Sequence, residues 1–197
     1  MNNQFSHVPM APADPILGLS AGFKADKNPK KVNLGVGAYR DNNGKPYVFP
    51  VVRAAEAAIV ADMTLDKEYL PIDGLAEFRK GAQGVLFGWN SPLVGDARVA
   101  SVQTLSGTGA LRVVGEFLAK FKPAAMYVSN PTWGNHDKVF AAAGVNVRKY
   151  RYFDKKTKGL DIKGMLADLS AATPGSCVLL HTCAHNPTGV DPTAAEW

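Results

Sequence analysis

The sequence predicts an α/β fold built on mostly parallel strands, and three observations predict it. From residue 98 onward, short apolar runs alternate with helical patterns, the signature of strands covered by crossover helices. Many of the nineteen glycines fall between apolar runs, where they serve turns. Polar, glycine-bearing turns follow several of the expected strands, which is where an open α/β sheet collects its ligands.

The elements follow in order. Residues 1–13 are polar and Pro-containing and read as an extended N-terminal arm. Asp14-Pro15 reads as a helix start, with Ile16, Leu17, Leu19 and Phe23 as a short apolar face. A short strand is expected over 32–36 and a turn at Asp41-Asn42-Asn43-Gly44. Residues 51–63 are Ala-rich and helical, and 75–87 give a second helix despite Gly81 and Gly84. The alternation then predicts strands over 98–104, 126–129, 145–153 and 177–183, and helices over 110–121, 135–143 and 162–169. At Pro192, Ala194, Ala195 and Glu196 the first turn of another helix is expected, so the chain is expected to stop inside a domain. No internal repeat is visible.

Composition narrows the function classes. The chain is 46% hydrophobic and 20% charged over 197 residues, an ordinary globular balance, and no apolar run reaches membrane-spanning length. The net charge of +5 is mild and suits anionic small molecules. The densest basic stretch, Arg148-Lys149-Tyr150-Arg151 with Lys155, Lys156 and Lys158, reads as a solvated strand end and turn in preference to a nucleic-acid patch. No nucleic-acid or membrane partner is expected. Cys177 and Cys183 share one apolar segment at even spacing, which does not suggest a disulfide framework. Together with an N-terminus lacking a secretory or transit pattern, this predicts a reducing, cytoplasmic setting.

Three motifs carry chemistry. Thr104-Leu105-Ser106-Gly107-Thr108-Gly109-Ala110-Leu111 opens a helix after an expected strand. Glycine lets backbone approach a ligand closely, helix-start N–H groups attract anions, and Ser106 and Thr108 add hydroxyls. Phosphate binding competes here with a simple Ser or Thr helix cap. A P-loop is excluded because no lysine follows Gly109, and a dinucleotide fingerprint because the third small residue is missing. Leu34-Gly35-Val36-Gly37-Ala38-Tyr39-Arg40 fails the same fingerprint.

Asn130-Pro131-Thr132-Trp133-Gly134-Asn135-His136 directly follows a strand. Trp133 can stack on a flat aromatic cofactor, or fill the gap between sheet and helix. His185-Asn186-Pro187-Thr188-Gly189 ends the strand expected over 177–183. Asn186 offers both a donor and an acceptor, and both Asn-Pro bonds are expected to be cis. Even spacing puts His181, Cys183 and His185 on one strand face. A buried apolar strand face outweighs a metal set there, because ligands two apart on a strand rarely converge on one ion.

These motifs in this order resemble the aspartate aminotransferase family, among the fold-type-I pyridoxal-phosphate enzymes. The resemblance runs from Asp14 to Trp197. Its strongest segments are Val32-Asn33-Leu34-Gly35-Val36-Gly37-Ala38-Tyr39-Arg40, Glu68-Tyr69-Leu70-Pro71, Ser106-Gly107-Thr108-Gly109-Ala110-Leu111, the Asn130 to His136 segment and Ala184-His185-Asn186-Pro187-Thr188-Gly189. It implies a mostly parallel large domain over 47–197, truncated at its C-terminal end, and the first part of a small domain over 14–46. By resemblance, Ser106, Gly107 and Thr108 hold the phosphate of pyridoxal 5′-phosphate, and Trp133 stacks on its ring. Asn186 hydrogen-bonds the phenolic oxygen, and His136 orients an aspartate beyond this chain. Gly37 meets the substrate α-carboxylate, joined by Trp133 and Asn186 in substrate binding. Tyr69 reaches the neighbouring subunit's cofactor phosphate, which implies a homodimer.

The implied reaction moves the amino group of L-aspartate to 2-oxoglutarate by a ping-pong mechanism. None of the lysines here sits in the family's Ser-x-x-Lys setting. These residues alone are therefore expected to lack the Schiff-base lysine, to hold no catalytic residue and to be inactive. Two alternatives stay open: an aromatic aminotransferase of the same subfamily, and a non-catalytic binding protein derived from the fold.

Overall fold

The computed structural model describes residues 4–10, 15–33, 35 and 37–197. The chain forms two units, Met1–Glu68 and Tyr69–Trp197. Of the expected arm, residues 4–10 are described, and the Val8 N–H closes a turn on the Phe5 carbonyl. Asp14, the side chains of Ile16 and Leu17, and Leu34 and Val36 of the expected 32–36 strand lie outside the described residues.

The first unit contains α1 (Pro15–Ala25) and α2 (Pro50–Ala61). Each starts on a proline, whose fixed φ and missing N–H cost nothing at a helix's first position. The Lys31 ammonium closes the C-terminal end of α1 by donating to the carbonyls of Phe23 and Asp26. The expected turn at Asp41 is present. Asp41 Oδ1 accepts the N–H groups of Asn43 and Lys45, each at 2.9 Å, Gly44 takes a φ of 72°, and Arg40 bridges Pro46.

The second unit begins with α3 (Ala76–Phe87) and α4 (Ser106–Phe121), followed by β1 (Met126–Asn130), α5 (Gly134–Ala142) and β2 (Val147–Arg151). A hairpin of β3 (Phe153–Asp154) and β4 (Gly159–Leu160), then α6 (Ile162–Ser170) and β5 (Cys177–Val178), complete it. The main sheet has the order β2-β1-β5 and is parallel throughout, with Met126 opposite both Val147 and Cys177. The chain steps from β1 to β2 through α5, then returns past β1 to β5 through α6. Right-handed crossovers in opposite directions place the two helices on opposite faces.

The core shows the same division. Met126 and Val128 pack with Phe140, Ala143 and Val145, flanked by Leu111 and Leu118 of α4. Tyr127 points the other way, into a cluster with Tyr150, Tyr152 and Met165. Residues 126–129 are therefore buried on both sides, as a central parallel strand requires. Gly115 allows α4 to meet α5, since a Cβ there would lie 2.9 Å from the Ala143 Cβ. Asp161 caps α6 by accepting the Gly164 N–H at 2.8 Å.

Three expected strands change. Residues 98–104 join no ladder among the described residues. Gln103 instead donates its N–H to the Asp73 carbonyl and accepts from the Leu75 N–H. An extended segment becomes a strand only when a neighbour takes its backbone groups. The 145–153 run breaks where its ladder to β1 ends at Arg151, and Phe153 pairs with Leu160 instead. Of 177–183, only Cys177–Val178 forms a strand. At the end of the chain, Thr193 and Glu196 make the expected helical turn, with the Glu196 carboxylate accepting the Thr193 N–H at 2.8 Å.

Candidate functional site: a cavity between α4 and the sheet

α4 starts at Ser106, four residues before the helix expected from the sequence. Ser106, Gly107, Thr108 and Gly109 thus form its first turn, where leading N–H groups have no partner within the helix. No side chain caps this end, so the competing reading of a Ser or Thr cap is not realised. Ser106 also takes a left-handed φ of 54°, a conformation that side-chain-bearing residues adopt at some cost.

The Asn130–Pro131 and Asn186–Pro187 bonds are both cis, as expected. Past the first of them, Trp133 occupies the N-cap position of α5. The Thr132 hydroxyl lies 2.8 Å from His136 Nδ1. Both the Trp133 and His181 rings meet the His136 ring edge-on, at 5.3 and 5.2 Å. Gly107, Ala110, Trp133, His136 and Leu179 line one cavity of about 660 Å³. The phosphate-type turn and the Trp-His turn, with Gly107 and Trp133 lying 26 residues apart in sequence, therefore face the same space.

Asn186 reaches this group through its backbone, donating its N–H to His181 Nδ1 at 3.2 Å. His181 Nε2 is buried without a hydrogen-bond partner among the described residues. Tyr69 opens the second unit as an exposed side chain. Gly37 belongs to the first unit.

The sequence reading missed the packing of the histidines. The pleat that would align 181, 183 and 185 holds only while a ladder pairs, and pairing ends near Leu179, whose N–H donates to the Tyr127 carbonyl. Ala184 then takes a φ of 51°. As a result the His181 and His185 rings stack at 4.2 Å, while Cys183 is exposed. The even spacing of 181 and 185 was the only available signal, and it read as a strand face.

Electrostatics keeps these rings neutral. Burial, then the neighbouring His181, pushes His185 down to about 4. Burial lowers His136 first, then the cost of charging it beside His181 and the Lys149 ammonium, against the pull of Asp137. Burial lowers His181 against the pull of Asp191. A neutral His136 can accept from Thr132 at Nδ1 and offer its Nε2–H to an acceptor.

The profile of the family described as "Aminotransferase class I and II" matches residues 29–197. The chain belongs to this family. It is 55% identical over 194 residues to "Aspartate aminotransferase 3, chloroplastic" of Arabidopsis thaliana, covering 98% of this chain and 43% of that protein. It is also 55% identical to "Aspartate aminotransferase, cytoplasmic" of Oryza sativa subsp. japonica, covering 98% and 48%. Among solved structures, the aromatic-amino-acid aminotransferase of Burkholderia pseudomallei, covalently bound to pyridoxal phosphate, superposes with a TM-score of 0.91 at 47% identity. That match covers 99% of this chain and 49% of the other. The chain therefore has the fold-type-I architecture and spans about half the length of the relatives it matches.

Proposed function

We propose that this aminotransferase chain is the cofactor-gripping part of an enzyme that transfers the amino group of L-aspartate to 2-oxoglutarate, giving oxaloacetate and L-glutamate. The observation that carries the proposal is the shared cavity of Gly107, Trp133 and His136. The residues fit pyridoxal 5′-phosphate. The uncapped first turn of α4, with the Ser106 and Thr108 hydroxyls and the Gly107 backbone, suits a phosphate dianion. Trp133 supplies an aromatic face for the ring. Asn186, exposed on its turn, would donate to the phenolic oxygen. His136, held by Thr132, would orient an acidic partner of the ring nitrogen. When bound, the cofactor takes up the electron pair left at the substrate Cα. Gly37 would meet the substrate α-carboxylate, and Tyr69 would reach the cofactor phosphate of a second subunit in a homodimer. A cytoplasmic location is supported by the name of the rice relative, while the Arabidopsis relative is named chloroplastic.

The test is a coupled assay on the full-length protein with aspartate and 2-oxoglutarate, alongside the absorption of its bound cofactor. Turnover to oxaloacetate supports the proposal. Turnover of phenylalanine but not aspartate favours the second reading, an aromatic aminotransferase, which the Burkholderia neighbour motivates. Absence of bound cofactor overturns both in favour of a non-catalytic protein.

A further inference from the structure

The turn that carries Asn186 is held from beneath by a buried chain of hydrogen bonds that none of the assigned site residues belongs to. His185 is 1% exposed and Ser129, at the end of β1, is 0% exposed. Ser129 Oγ lies 2.8 Å from His185 Nε2, and Thr188 Oγ1 lies 2.8 Å from His185 Nδ1. The Tyr150 phenol donates to the Leu179 carbonyl at 3.0 Å. The His185 ring is stacked between Tyr152 at 3.9 Å and His181 at 4.2 Å.

A neutral His185 ring engages a hydroxyl at each nitrogen, donating at one and accepting at the other. Thr188 Oγ1 also receives the Val190 N–H at 3.2 Å.

We infer that His185, bonded at its two ring nitrogens by Ser129 and Thr188, is a positioning residue that fixes Asn186 relative to the Trp133 loop. Ser129 lies four residues before Trp133, and Thr188 two residues after Asn186. His185 joins the two cis-proline turns through side chains alone. Asp191 secures the remaining backbone by accepting the N–H groups of Ala184 at 2.7 Å and His185 at 2.8 Å. Because each hydrogen bond in the chain is directional, losing a hydroxyl at either end lets the imidazole turn and Asn186 shift with it.

The inference rests on the proposed placement of Asn186 at the cofactor's phenolic oxygen, where a well-aimed donor favours the ionised form. The experiment uses the full-length holoenzyme and follows the pH midpoint of its cofactor absorption band, together with thermal unfolding. Thr188→Val keeps the shape and removes the hydroxyl; Thr188→Ser keeps the hydroxyl; Ser129→Ala breaks the other end. The expected result is a midpoint raised by about half a pH unit or more in Thr188→Val and Ser129→Ala, restored in Thr188→Ser. A midpoint unchanged in Thr188→Val, even with a lowered melting temperature, overturns the inference and leaves only a structural role. A wild-type protein that binds no cofactor would instead overturn the functional reading, and this inference with it.

Discussion

The two faces of the parallel sheet are built from different chemistry. The face toward α4 and α5 is aliphatic and aromatic carbon: Met126, Val128, Phe140, Ala143 and Val145. It opens into the cavity beside Trp133 and His136. The face toward α6 carries Tyr127, Tyr150 and Tyr152; the Tyr127 hydroxyl accepts from the Arg148 guanidinium at 3.4 Å, and the other two donate to backbone carbonyls. Tyr150 donates to Leu179, and Tyr152 donates to the Val190 carbonyl at 2.7 Å. Burial, with the nearby Asp191 charge, pushes the Tyr152 phenol up to about 12, so it remains a donor at physiological pH. One face holds the site by packing and the other by directional bonds.

Breaking the packing should have the largest effect. Phe140→Ala removes a fully buried ring from the junction of α4, α5 and the sheet, and should destabilise the full-length protein by about 3–5 kcal/mol in urea unfolding. A loss below about 1 kcal/mol would show that this face is not the main anchor.

Acid should act through the other face. His185 titrates at about 4 when folded, against about 6.5 when unfolded. Below about pH 6.5 the unfolded chain takes up a proton that the folded chain refuses, so stability is full above that pH and falls as pH drops toward about 4. His136 and His181 shift in the same direction. The expected loss is about 2–3 kcal/mol, seen as a lower urea midpoint at about pH 4.5 than at about pH 7.5. Replacing His185 with Gln should flatten the dependence.

Tyr150→Phe removes one hydroxyl and leaves the Leu179 carbonyl without its donor. About 1–2 kcal/mol is expected, with the effect concentrated in hydrogen exchange of the segment after β5. The smallest stability change is expected at the cavity itself. Trp133 is only half-buried, and Trp133→Leu should cost well under 1 kcal/mol in apo unfolding. It should nevertheless accelerate loss of the cofactor, as measured by dialysis and absorbance. If folding and cofactor retention fall together, the division between the two faces does not hold.

Most of the element order was legible because helices and central strands announce themselves locally. The Ala-rich helix expected over 51–63 became α2 (Pro50–Ala61), the helix over 75–87 became α3 (Ala76–Phe87), and the run at 126–129 became β1. The first turn of α4 was less legible, because Ser106, Gly107, Thr108 and Gly109 are poor helix formers whose helicity shows only in the structure. The motifs at Ser106, Trp133, His136 and Asn186 were readable as residue types suited to a ligand, though not as neighbours.

The sequence by itself determined where the chain turns and which stretches are helical or extended, since those follow from proline, glycine and apolar spacing within a few residues. It also marked both Asn-Pro turns. Tertiary structure alone decided which extended stretches became strands, because a ladder needs a partner that no local pattern names: β5 stops at Val178 and 98–104 joins no ladder among the described residues. It likewise decided that His181 and His185 stack above Tyr152 while Cys183 faces outward. Side-chain direction in an extended segment is set by pairing, and once pairing ends, packing against the sheet takes over.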